Sequence, residues 1–272
     1  LRNPLSLLGL GVIVVIVGVA AAAPLLVLRN PIQTDLGQRL EPPGPGRPLG
    51  TDDLGRDIYS RILMGSRISL QVGVFVLVFA VAIGTVVGAV AGYLGGWVDE
   101  AMMRVTDMFL AFPALVLAMA VAAALGRGLT NAMIAITFVW WPWYARLVRS
   151  QVLMLKDREF VLASKAIGAS GRRILVRHIL TNCWPQVIVQ ASLDVGYAIL
   201  VTASLGFIGL GAEPPTPEWG SMIAQGRNFL LTHWWYPTIP GVAIMLTVLG
   251  FNLLGDGLRD VLDPRSGRSV HV

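Results

Sequence analysis

The sequence predicts an all-α, polytopic membrane protein with six transmembrane helices, and three observations carry that prediction. Of its 272 residues, 55% are hydrophobic and only 14% are charged, a balance unlike that of soluble globular domains. Charges are missing from several long runs, and about 20 apolar residues suffice to cross a bilayer. The basic residues instead gather between the runs: eight of the 21 Lys and Arg fall between Arg146 and Arg177.

In chain order, the first uncharged run is Leu5 to Leu28. It is too long for a removable signal peptide, and no small-residue cleavage site leads into a soluble domain. Residues 1–28 are therefore expected to be an N-terminal transmembrane helix, with Pro24 near its far end. Residues 29–67 form a polar loop stiffened by Pro42, Pro43, Pro45 and Pro48. Asp52, Asp53 and Asp57 suggest a calcium loop, but their spacing fails the EF-hand template and no glutamate stands at its twelfth position. Arg56 and Arg61 are expected to neutralise them, making the loop a cap on the second span.

Residues 68–258 then read as a five-helix core, followed by a tail at 259–272. Ile68 to Val98 is the second uncharged run. Its Gly84-x-x-x-Gly88-x-x-x-Gly92 ridge lets helices approach closely in lipid, either against another subunit or within the bundle. Met108 to Gly126 and Gly128 to Ala145 are the third and fourth runs, split by Arg127. Trp140-Trp141-Pro142-Trp143-Tyr144, followed by Arg146 and Arg149, predicts an aromatic boundary at headgroup level. Trp219 and Trp234-Trp235-Tyr236 are expected to do the same on the opposite side. Ile179 to Ala212 is interrupted only by Asp194, and Trp234 to Gly255 is the last run. Between them Pro214, Pro215 and Pro217 forbid a continuing helix, and Ser221 reads as the cap of a short helix reaching about Leu231.

With six spans both termini lie on one side. Placing the basic loop in the cytoplasm puts 13 Lys and Arg inside and eight outside, as the positive-inside rule prefers. Asp194 is the one acid deep in an apolar run. It would cost about 2.5–3.5 kcal/mol in hydrocarbon, so it should face protein or water. It is either a contact for a cationic solute in a translocation path or a hydrogen-bonding acid that holds two helices. In the first case Asp194→Asn lowers transport of cationic solutes.

Several chemistries are excluded by counting. The basic residues are dispersed with no aromatic-basic platform, so nucleic acid is not an expected partner. One cysteine, Cys183, allows no internal disulfide and no cysteine-based metal cluster. Neither Lys156 nor Lys165 follows a glycine, so there is no P-loop. His178, His233 and His271 lie in polar flanks, and no His-Glu-x-x-His helix exists for a zinc protease. No catalytic residue, bound cofactor or metal site is expected; any energy must come from another subunit.

The organising stretch is Lys156 to Thr181, KDREFVLASKAIGASGRRILVRHILT. Asp157 and Glu159 suit a helix start and Lys165 a helix end. Phe160, Ala163 and Ile167 repeat at helical spacing and form one apolar edge. Gly168 can end that helix in the left-handed conformation, and Ser170 can cap the next. This stretch resembles the EAA loop of bacterial ABC-importer permeases. Leu162-Ala163-Ser164 stand at the EAA triplet and Gly168 at the glycine, with His178, Leu180 and Thr181 at the closing Ile, Leu and Pro. Ala163, Gly168 and Leu180 match; Leu162, Ser164 and Thr181 depart while leaving an amphipathic helix.

Together with PLGTDDLGRDIYSRILMGSRISL (Pro48 to Leu70), GYLGGWVDE (Gly92 to Glu100), ASLGFIGLGAEPPTPEWG (Ala203 to Gly220) and GDGLRDVLDPR (Gly255 to Arg265), the chain is similar, nearly end to end, to C-type permease subunits of dipeptide and oligopeptide ABC importers. The resemblance implies a type I importer permease fold in the bacterial inner membrane. It implies a paralogous B-type permease, two ABC ATPase domains on which ATP and Mg act, and an extracytoplasmic substrate-binding protein. It places the ATPase-coupling helix at about Arg158 to Ala169, with Glu159, Phe160, Ala163, Ser164, Lys165, Gly168 and Ala169 as its residues. Nickel complexes and glutathione pass through similar permeases. An ion-coupled secondary transporter would show intramembrane ionisable groups and inverted repeats; here only Asp194 qualifies.

Overall fold

The computed structural model describes residues 4–262. Arg2 and the tail residues Arg265, Arg268 and His271 lie outside the described residues. The helices, in order, are α1 (Pro4–Leu26), α2 (Ile58–Leu94), α3 (Gly96–Leu110), α4 (Ala114–Leu125), α5 (Leu129–Leu155) and α6 (Glu159–Ala166). They continue as α7 (Gly171–Ile208), the short α8 (Trp219–Gly226) and α9 (Trp235–Leu262). Among the described residues, β-structure amounts to two isolated bridges.

By length and apolarity four helices, α1, α2, α7 and α9, can cross a membrane, or up to five if the bent pair α3–α4 is one span. The expected count of six is therefore not met by that measure. The third expected run, Met108 to Gly126, is no straight helix: α3 and α4 meet at 88°. Pro113 has no N–H to continue a helix, and the residue before it, Phe112, is pushed from the helical region. α5, at 27 residues, is long enough, but Asn131, Pro142, the tryptophans and Arg146 make it less apolar.

α2 and α5 form the central pair. The glycine ridge of α2 is what lets them meet. A Cβ at Gly84 would fall onto Tyr144 and one at Gly88 onto the Ala145 carbonyl, while one at Gly92 would stand 3.0 Å from the Val152 Cβ. The ridge thus serves packing within the bundle. α7 packs on α2, α5 and α9, and α1 lies against α9 and α2. The core runs through Val72, Val76, Ile136, Tyr144, Val148, Ile179 and Leu205.

The helix α2 begins ten residues before the expected start of the second span, because Asp57 caps it. The Asp57 carboxylate accepts from the Ser60 N–H at 2.9 Å and hydroxyl at 2.6 Å. The preceding loop folds onto this helix end and onto α8 and α9. Asp52 is fully buried and accepts from Arg56 Nε at 2.6 Å, with Arg61 Nε 3.6 Å away. Arg56 reaches on to Gln225, and Arg61 donates to the carbonyls of Pro31 and Pro215. Asp53 accepts from the Tyr236 hydroxyl at 2.8 Å. The three acids are thus occupied by protein groups, and Arg56 pairs with Asp52 as expected.

Two expectations at this end change. The short helix is capped by Glu218, not Ser221: its carboxylate accepts from the N–H groups of Gly220 and Ser221. The helix α8 ends at Gly226 and a 3₁₀ turn, Arg227–Phe229, follows. Trp219, Trp235 and Tyr236 are buried in a second core cluster with Ile58 and Met222; only Trp234 is exposed. They are packing residues, not an interfacial belt. Likewise Trp140, Trp141 and Tyr144 are buried mid-helix in α5, and Trp143 alone faces out.

Candidate functional site

At the end of the bundle opposite the Asp52 cluster, the chain leaves α5, makes α6 and enters α7. The helix α6 starts at Glu159, where a carboxylate suits the positive helix start. Its end is closed by a Schellman arrangement: the Gly168 N–H donates to the Lys165 carbonyl at 3.0 Å and the Ala169 N–H to the Ser164 carbonyl at 3.1 Å. Gly168 has φ +81°, a conformation that costs other residues about 1–2 kcal/mol.

One side of α6 holds it to the bundle. Val161 is fully buried in the main core, and Ser164 is buried with its hydroxyl donating to the Phe160 carbonyl at 2.8 Å. The other side is open. Ile167 is 85% exposed, Leu162 49% and Phe160 40%, with Glu159, Ala163, Lys165 and Gly168 exposed beside them. Of the seven residues expected to share this surface, Ser164 is turned inward and Ala169 is half-buried against the core. Leu162, at the glutamate position of the EAA triplet, is part of the exposed apolar surface, and Val161 is its anchor. The sequence marked Leu162 only as a departure from the triplet and did not single out Val161, because the direction of burial depends on where α5 and α7 lie.

The first turns of α7 are unusual. Ile174–Ile179 form a π-helical segment, with the Leu180 N–H donating to the Leu175 carbonyl. Such π-helical insertions often sit at functional sites. Nearby, Arg149 of α5 grips Asp99 of α3 with two bonds, at 2.5 and 2.6 Å, and Arg146 pairs with Asp107 at 2.6 Å. These bidentate and charge-assisted contacts tie α3 to α5. The sequence offered the two arginines only as boundary residues.

Asp194 lies far from α6, half-buried on α7. The Tyr144 hydroxyl from α5 donates to its Oδ2 at 2.7 Å, and Gln190 Nε2, one turn away on α7, donates to its Oδ1 at 2.9 Å. The acid therefore joins two helices, while one of its partners, Gln190, is exposed.

Residues 84–268 match the family described as binding-protein-dependent transport system inner membrane component, and residues 1–43 match the N-terminal TM domain of oligopeptide transport permease C. The chain belongs to the inner membrane component family of binding-protein-dependent transport systems. This inner membrane component is 48% identical over 265 residues to the probable D,D-dipeptide transport system permease protein DdpC of Escherichia coli K12, covering 97% of this chain and 89% of that one. It is also 48% identical over 264 residues to the dipeptide transport system permease protein DppC of Alkalihalophilus pseudofirmus, covering 97% and 87%. Its fold matches a chain of the inward-facing MetNI methionine ABC transporter with a TM-score of 0.61 at 18% identity, covering 75% of this chain and 96% of that one. The inner membrane component is thus a multi-pass membrane protein and a permease part of an ABC transporter.

Proposed function

We propose that this chain is one of two permease subunits of an ATP-driven importer of dipeptides or oligopeptides. The observation that supports it most is the identity, across nearly all of both chains, with permeases named for D,D-dipeptide and dipeptide transport. No observation favours nickel complexes, glutathione or an ion-coupled mechanism over it. A paralogous B-type permease completes the path, and an extracytoplasmic binding protein delivers the peptide. ATP and Mg act on two ABC ATPase domains on the cytoplasmic side, where both termini also lie.

In this reading α6 is the coupling helix. Phe160, Ala163 and Ile167 seat in a groove of one ATPase domain, flanked by Glu159 and Lys165. Ser164 and Ala169 hold the helix from behind. Closure of the ATPase domains pushes α6 and, through the π-helical segment, tilts α7 between inward- and outward-open states. Gly168→Asp tests the coupling. Nothing lies within 4 Å of where its Cβ would stand, so the change acts through backbone and charge while packing is spared. The complex should assemble and hydrolyse ATP in proteoliposomes yet take up no dialanine. Wild-type uptake refutes the role given to Gly168.

A further inference from the structure

The side-chain amides and the one acid of α7 are not scattered, whereas the hydroxyls of Ser192, Thr202 and Ser204 bond back to carbonyls of the same helix. Asn182, Gln186, Gln190 and Asp194 recur every fourth residue, and Tyr197 falls among them. At 3.6 residues per turn they occupy a sector of roughly 120°. Asn182, Gln186, Gln190 and Tyr197 are exposed and Asp194 is half-buried, yet α7 is among the helices apolar enough to span a membrane. The far side of the same helix carries Trp184, Ile188, Ala191 and Val195, which line an apolar groove of about 480 Å³ with α2 and α9.

Two faces of opposite chemistry require different neighbours. Hydrocarbon suits the groove side and is closed to unpaired side-chain amides. The amide side must therefore meet water or polar groups. At Asp194 the geometry adds direction. Both carboxylate oxygens hold a donor, from Tyr144 on one side and Gln190 on the other. With one N–H committed to the Asp194 carboxyl group, the Gln190 amide keeps its carbonyl oxygen as an open acceptor. Gln186, one turn towards the cytoplasmic loop, offers a second amide on the same line.

We infer that this face of α7 is a wall of the translocation path that contacts the solute. Gln186 and Gln190 offer a donor and an acceptor to the amide groups of a passing peptide. Asp194 is a positioning residue, which fixes the Gln190 acceptor towards N–H and ammonium groups of the solute. The inference rests on the importer reading above and assigns the substrate-facing side chains within it.

The test uses the complete transporter in inside-out vesicles without nucleotide, on a Cys183→Ala background, which leaves the introduced thiol as the single one in this subunit. A charged, membrane-impermeant maleimide should label Gln186→Cys and Gln190→Cys much faster than Trp184→Cys and Ile188→Cys, and saturating dialanine should slow labelling at Gln190→Cys. Separately, Gln190→Leu should lower dialanine uptake roughly tenfold, the loss of one charge-assisted hydrogen bond, with ATP hydrolysis retained. Equal labelling of the two faces overturns the inference, as does unchanged uptake by Gln190→Leu. A wild-type complex that imports no dialanine overturns the peptide reading instead, and the labelling pattern then decides the wall independently.

Discussion

Truncating Ile167 separates docking from folding, because this side chain is 85% exposed in the subunit alone. Ile167→Ala removes three carbon groups. At about 0.8 kcal/mol for each group buried, and with 85% of the side chain left to be covered, seating this edge in an ATPase groove is worth about 2 kcal/mol. That is roughly 30-fold in the affinity of the ATPase for the permease pair. The same truncation should leave the fold within about 0.5 kcal/mol of wild type, as surface changes usually do. Val161→Ala is the converse: fully buried, it should cost about 2 kcal/mol in stability through lost burial and a cavity, without removing any docking contact. Permease pairs in nanodiscs, titrated with ATPase subunit and melted in parallel, read both quantities. Unchanged affinity in Ile167→Ala, or a melting shift as large as that of Val161→Ala, refutes the assignment of the exposed edge.

Gly88→Val should destabilise the bundle by about 1–3 kcal/mol, since its Cβ would meet the Ala145 carbonyl and lie 2.9 Å from the Arg149 nitrogen; an unshifted melting curve counts against the α2–α5 contact. Asp52→Asn leaves Arg56 and Arg61 as uncompensated buried charges and should cost about 3–5 kcal/mol, read as loss of monodisperse protein by gel filtration, and near-normal yield would contradict the buried pair. Burial pushes the Glu218 carboxyl above its ordinary value of 4.5, against the bonds from Gly220 and Ser221, so the folded state binds this proton more tightly than the unfolded one. Stability from this group is therefore greatest below pH 4.5 and falls as pH rises through the folded pKa; wild type should gain melting temperature on Glu218→Gln as pH drops from about 7 towards 4.5, and a constant gap argues against a buried carboxylate there.

What the sequence made legible was what lies along one axis; what it hid depends on two. Charge-free runs located α1, α2, α7 and α9, because a bilayer selects on composition summed along a segment. The same sum is blind to backbone geometry, so Met108 to Gly126 read as one span although Pro113 marked the bend. The Asp57-x-x-Ser60 cap was present to be read, but the arginines after it made residues 58–67 look like loop. Direction around a helix was harder still. Tyr144 looked interfacial beside three tryptophans, yet it is buried because Gly84 opposite leaves room for it, a fact that exists only once α2 and α5 are paired. Ser164 faces inward for the same reason, with Val161 beside it. Asp194 shows both limits at once: its cost in lipid announced that it must face protein or water, and Gln190 stands four residues away, one turn along the same helix, as one such partner. The other, Tyr144, is 50 residues away and could be found only by folding the chain. The polar line from Asn182 to Asp194 needs no such partner. It is written in the spacing alone, and it acquires meaning when the opposite side of α7 proves to be apolar.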